Sequence, residues 1–176
     1  MSLKVGKAVI EGVSALLADG TIGFNQALHS LAVDWGFPEF EIDFGPSSMN
    51  FILGQFDGPE TLFESMDVQL PLLTLDATGS ANQNLVKFAA FAGVTGAQIE
   101  VHIDWEGTRV NDFTLYTNYV ESALYRCLNQ QEADFHWQAY GLLYNGAIGV
   151  GRTAVRPGGR NWLRTVRAQM NFRIIQ

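Results

Sequence analysis

A single cysteine, Cys127, excludes a disulfide framework within the chain and fits a reducing compartment. Charge is also scarce. Asp, Glu, Lys and Arg make up 16% of the residues against a hydrophobic share of 47%, which suits either a neutral surface or one covered by other chains. No apolar run approaches the roughly 18 residues that a membrane helix needs, so no membrane partner is expected. Lys4 and Lys7 precede Ala8-Val9-Ile10, but Glu11 and Gly12 interrupt any leader-like apolar region. The chain is therefore expected to be soluble and made in the cytoplasm.

Chemistry-bearing constellations are few. His29, His102 and His136 lie far apart, and Cys127 falls on an apolar helical stripe, so no metal ligands are expected. There is no Gly-x-Ser-x-Gly motif. Val150-Gly-Arg-Thr153 and Pro157-Gly-Gly159 lack the Gly-Lys-Ser/Thr ending of a phosphate loop. No catalytic residue, cofactor or enzymatic activity is expected. The nearest thing to an acid/base set is Glu100, His102 and Asp104 on one polar strand face. Same-face neighbours on a strand are ~7 Å apart, so a solvated face or subunit contact is the expected meaning. His102, between two carboxylates, is expected to favour its charged form. A small hydrolase using these three residues is the different-class alternative. A ligand-binding module using Trp35, Trp105, Trp137 and Trp162 is another.

Acid is absent from the end of the chain. All eighteen Asp and Glu lie at or before Asp134, whereas Arg152, Arg156, Arg160, Arg164, Arg167 and Arg173 follow without one. The net charge of −7 thus hides an acidic body and a basic final segment. That segment has two readings: contact with nucleic acid, or contact with the acidic face of the same chain or of another copy. The second is favoured by the overall acidity and by the strand pattern of the segment.

What is present is pattern. From Ala97 to Trp105, apolar Ala97, Ile99, Val101, Ile103 and Trp105 alternate with polar Gln98, Glu100, His102 and Asp104, so one strand face meets a core and the other meets water or a partner. Asp112 then reads as the N-cap of a helix over 112–129. Phe113, Tyr116, Val120, Ala123, Leu124, Cys127 and Leu128 form its apolar stripe. Val166, Ala168, Met170, Phe172 and Ile174 alternate with polar partners, Arg167 and Arg173 among them, as regularly as the first strand does.

The remainder divides as follows. Residues 2–32 read as a helical N-terminal part, with helices over 2–18 and 24–32. Residues 40–105 read as strands and long loops, including a strand at Phe40–Phe44 and another from Met66. Pro71 puts the latter at an edge or a bend. Residues 45–61 form a long excursion whose Met49, Phe51 and Phe56 are candidates for a partner-facing loop. Asp76 to Asn84 reads as a polar loop, and Gly93 and Gly96 as flanking a turn. Phe135 to Gly141 reads as strand, Asn145-Gly146 as a hairpin turn, and Arg156 to Arg160 as another turn, so 138–175 is hairpin and final strand. No repeat or linker divides residues 1–176, which read as a single domain.

Four stretches together resemble the tail-terminator and tail-completion proteins of tailed bacteriophages, found at the head–tail junction. They are Phe91-Ala-Gly-Val-Thr-Gly-Ala-Gln-Ile-Glu-Val-His-Ile-Asp-Trp105, Glu121-Ser-Ala-Leu-Tyr-Arg-Cys-Leu128, Tyr144-Asn-Gly-Ala-Ile148 and Asn161-Trp-Leu-Arg-Thr-Val-Arg-Ala-Gln-Met-Asn-Phe172. In that family a strand, a helix, a hairpin and a long final strand follow in this order. The resemblance covers roughly residues 85–175.

The resemblance implies an α+β, ring-forming subunit with a mainly antiparallel (mixed) sheet packed against a few helices. It implies a homo-oligomeric, hexameric ring in the virion tail or neck, assembled in the cytoplasm of the bacterial host. Its partners would be the tail tube protein and neck or connector proteins, with DNA passing through the lumen without specific binding. Another neck, connector or tail-tube role is the alternative within that setting. Glu100, His102, Asp104, Arg167 and Arg173 are then the candidate subunit-interface residues, because a head-to-tail ring needs two complementary surfaces. On this reading, Arg167→Glu or Arg173→Glu harms ring formation more than the folded subunit.

Overall fold

The computed structural model describes residues 2–35, 70–78, 91–106, 110–144, 149–158 and 161–175. The candidate strand Phe40–Phe44, the loop residues Met49, Phe51 and Phe56, and most of 76–96 lie outside these. Among the described residues, four helices and a six-stranded antiparallel sheet make an α+β fold. The helices are α1 (Ser2–Leu17), α2 (Phe24–Trp35), α3 (Val110–Leu128) and α4 (Gln131–Ala139). The strands are β1 (Leu72–Thr78), β2 (Phe91–Trp105), β3 (Leu142–Tyr144), β4 (Gly149–Arg152), β5 (Arg156–Gly158) and β6 (Asn161–Ile175). No described helix is long and apolar enough to cross a membrane.

The two long alternating strands lie side by side. β2 pairs antiparallel with β6 along nearly its whole length, from Phe91↔Ile175 to Trp105↔Trp162. β1 pairs with the free side of β2. On the far side of β6, the short strands β3, β4 and β5 follow one another end to end. β2 and β6 are therefore both interior, and β6 pairs with every other described strand except β1.

Period-two geometry sends every second residue of these strands to one face. Leu73, Leu75, Ala97, Ile99, Val101, Ile103, Val166, Ala168, Met170 and Phe172 share one buried core with apolar residues of all four helices. Each large side chain fully withdrawn from water there contributes about 1.5–3 kcal/mol. The helices follow the same logic at their own spacing. Val9, Val13, Leu16 and Leu17 of α1 face the core, as do Phe113, Val120, Leu124 and Leu128 of α3. Gly12 lets α1 approach closely: a Cβ there would meet Leu142 Cδ1 at 3.1 Å and the Tyr140 ring at 3.3 Å. Asp19 makes the turn into α2, its Oδ1 accepting the N–H groups of Thr21 at 2.7 Å and Ile22 at 2.9 Å. Those bonds hold its carboxyl below the usual range.

Several sequence expectations are corrected. Residues 131–139 form α4, so the strand expected over Phe135 to Gly141 is not there. Ala133 and Trp137, four apart, are its buried residues, and Glu132 and Asp134 favour its N-terminus electrostatically. Asn145-Gly146 lies outside the described residues, but the strands that precede and follow it are not a hairpin pair: β3 and β4 both run antiparallel to β6 and so share one direction. The return is made instead between β5 and β6, where Gly158 is paired with Asn161. α3 begins at Val110, so Asp112 lies in its first turn and is not the cap. Asp76 to Thr78 extend β1, because Ala77 and Thr78 find ladder partners in Ala97 and Gly96. Gly93 and Gly96 lie inside β2, where a register shift between Phe91 and Gly93 marks a bulge rather than a turn.

Candidate functional site

The sheet face turned away from the helices carries the polar alternates of the same strands. The register decides which of them meet. Glu100 lies between Thr74 on β1 and Arg167 on β6, His102 between Leu72 and Thr165, and Gln98 opposite Gln169. Arg167 Nε donates to Glu100 Oε1 at 2.6 Å, and Gln98 Nε2 donates to the same oxygen at 2.8 Å. Gln169 Nε2 continues the chain of bonds to Gln98 Oε1 at 3.4 Å. The His102 ring bridges two hydroxyls, Nδ1 to Thr165 Oγ1 at 3.0 Å and Nε2 to Thr74 Oγ1 at 3.3 Å. Asp104 stands apart and accepts a bond from Asn161 Nδ2 at 2.6 Å.

These residues were expected to face water or a partner. Instead Glu100 and His102 are only 3% and 6% exposed within one chain. The closed part of this face runs over Leu72, Thr74, Glu100, His102 and Thr165. Burial also reverses the expectation for the imidazole. Desolvation pushes His102 from 6.5 down to about 4, and the nearby Arg156 and Arg167 guanidinium groups add to it; Glu100 opposes without prevailing. His102 is therefore neutral near pH 7. Its Nε2 is 3.6 Å from Glu100 Oε2, too long for a good hydrogen bond.

Three arginines of the final segment, Arg152, Arg164 and Arg167, turn to their own chain. Arg152 hydrogen-bonds Asn118 and lies 3.7 Å from Glu121, both on α3. Arg164 sits 5.6 Å above the Phe113 ring and reaches Thr117 Oγ1 at 3.4 Å. Arg167 binds the buried Glu100 while 47% of its side chain stays exposed. Of the five candidate interface residues, Glu100 and Arg167 thus meet each other inside the subunit. His102 is buried beside them, and Asp104 is engaged elsewhere. Arg173 is exposed farther along β6, beyond the exposed Gln169 and Asn171.

This pairing alters what the substitutions should do. Arg167→Glu would set a second carboxylate against buried Glu100. It is expected to lower the unfolding free energy by about 2 kcal/mol or more, measured by urea denaturation. Arg173→Glu, at an exposed position, is expected to cost about 0.5 kcal/mol or less. Equal losses in the two variants would contradict the pairing.

Trp105 and Trp137 pack against other rings, and the side chain of Trp35 lies outside the described residues. Trp105 stacks on Phe113 with ring centroids 6.2 Å apart, and Trp137 meets Phe172 edge-on at 5.2 Å. Trp162 is partly exposed opposite Trp105. Cys127 is buried, with its thiol pushed up to about 12 by desolvation. Among the described residues, no group of three His, Cys, Asp or Glu could hold a metal ion.

Two surface features escaped the sequence reading. Phe135 on α4 is 74% exposed, between the exposed acids Glu132 and Asp134. Its signal was the four-residue spacing of Ala133 and Trp137, which turns Phe135 outward. The second is a bare strip on β4. Gly149 and Gly151 face the same side as Gln169 and Arg167, and a Cβ added at either would meet nothing within 4 Å. No protein-family model, curated protein or solved structure matches the chain.

Proposed function

We propose that this chain is a virion structural protein of a tailed bacteriophage: the tail-terminator or tail-completion subunit, forming a hexameric ring between the tail tube and the neck. The observation that carries this reading is the two-sidedness of the sheet. All four described helices share a core with one face, while Gln169, Asn171 and Arg173 stand exposed on the other. A closed ring built head to tail requires two unlike surfaces on each subunit. The succession of β2, α3 and a long final β6 supports the same reading, since it follows the family that residues 85–175 resemble; α4 and the shared direction of β3 and β4, where that family has a hairpin, depart from it. The net charge of −7 suits a lumen through which DNA slides without being held.

The test is mass and position. Native mass spectrometry of the purified chain is expected to give a closed oligomer, and microscopy of labelled particles is expected to find it at the head-proximal end of tails. A strict monomer that is also absent from tails would overturn the proposal. Location along the tube or within the neck would reassign it to a tube or connector role.

A further inference from the structure

The exposed strip of the second face has a shape as well as a charge. Gly149 and Gly151 are exposed, lie on one face of β4 and have ordinary backbone angles, the positive-φ glycine being Gly141. They leave β4 as a shelf of bare backbone beside Arg167, with Arg173 farther along the same row of β6, about 20 Å away by strand rise. On the opposite layer of the same subunit, α4 presents a surface of complementary character. Glu132 and Phe135, three residues apart, share one helix face, and Asp134 flanks it; all three are exposed. The helix is fixed from behind by buried Ala133 and Trp137. An aromatic ring between carboxylates suits a shelf without side chains between guanidinium groups.

We infer that the shelf of Gly149 and Gly151 receives α4 of a second copy of this chain, with Phe135 on the bare backbone and Glu132 and Asp134 toward Arg167 and Arg173. The inference rests on the ring reading and names the surfaces that would make the ring. The two surfaces belong to opposite layers of one subunit, so each copy offers one and accepts the other. That is a heterologous contact, which closes into a ring or runs on as a filament. Net negative charge disfavours duplex DNA as the occupant.

The test uses the full chain and measures mass against concentration. Gly151→Val fills the shelf where the structure has open space and places a strand-favouring residue in a strand. Its melting temperature is expected to be unchanged or higher, while its half-assembly concentration rises roughly thirtyfold or more, as for loss of an interface anchor. Glu132→Lys with Asp134→Lys is expected to block the other surface to a similar degree. Mixing the two blocked variants should give a heterodimer and nothing larger, since one intact surface of each kind remains. If the wild type assembles and both variants assemble equally well, the shelf is not the contact and the ring reading stands. A wild type that stays monomeric at every concentration overturns the inference, and overturns the ring reading too if the chain is also absent from tails. Retention of duplex DNA by the wild type, lost in Gly151→Val with no change in mass, would make the shelf a nucleic-acid surface and overturn the inference.

Discussion

Trp137→Ala is expected to lower the unfolding free energy by roughly 3–5 kcal/mol, the usual cost of emptying a large buried aromatic site. Trp137 is 1% exposed, and its ring meets Phe172 of β6 edge-on, at 64° between planes. Among the described residues its Nε1 has no hydrogen-bond acceptor, so the loss is one of packing and not of a polar contact. α4 has only Ala133 besides Trp137 on its buried side. The same substitution should therefore loosen the helix, and limited proteolysis should cut near Gln130 or Tyr140 sooner than in the wild type. Phe135→Ala, on the outer side of the same helix, should change stability by about 0.5 kcal/mol or less. A loss below about 1 kcal/mol for Trp137→Ala would mean that the helix is held by something else.

Acid should act through His102. In the folded chain its imidazole protonates near 4, whereas an ordinary histidine protonates near 6.5. Between those values the unfolded chain binds a proton that the folded chain does not. The contribution is fully present above pH 6.5 and is lost as the pH falls toward 4. Its size is about 3 kcal/mol, from the drop of the imidazole from 6.5 to about 4. Urea denaturation at pH 7, 5.5 and 4 should show the wild type losing that much more stability than His102→Gln across the window. Asp19, with its depressed carboxyl, also loses stability in acid but does so in both proteins. Parallel losses in wild type and variant would show that His102 is not the group that titrates.

The elements read correctly from sequence are those whose local pattern and tertiary role agree. β2 from Ala97 to Ile103 and β6 from Val166 to Phe172 alternate regularly and are covered by helices on one face, so each apolar position in these spans is a core position. α1 and α3 place their apolar stripes in the core at helical spacing. α4 failed this test because its signals are weak. Gln130 precedes it without a side-chain cap, and only two of its residues are buried. Asn145-Gly146 misled for the opposite reason. Its turn chemistry is strong locally, yet the flanking strands found better partners in β6 than in each other.

The site was legible as composition and not as arrangement. Alternation identifies Glu100, His102, Arg167 and Arg173 as polar strand residues. It cannot fix the register that sets Glu100 opposite Arg167, with His102 beside Thr165. Nor can it show that burial at His102 outweighs a neighbouring carboxylate, because that balance depends on what covers the strand. The bare strip at Gly149 and Gly151 is invisible for a similar reason. Glycine in a strand signals a bulge or a close approach equally well, and only the pairing with β6 shows open space above it.

The interior position of β6 also sets a timetable. Glu100 and its partner Arg167 are 67 residues apart, so β2 must keep an open edge while the intervening chain is made. Contacts between such distant segments form slowly, because a long loop has to close first. β6 leaves the ribosome after every other described element. Until it arrives, the helix layer lacks Val166, Ala168, Met170 and Phe172, and the opposite face lacks its arginines. One strand completes the hydrophobic interior and the outward polar row in the same step. A half-made chain thus has no finished row to offer a neighbour, and the direction of translation itself keeps folding ahead of association.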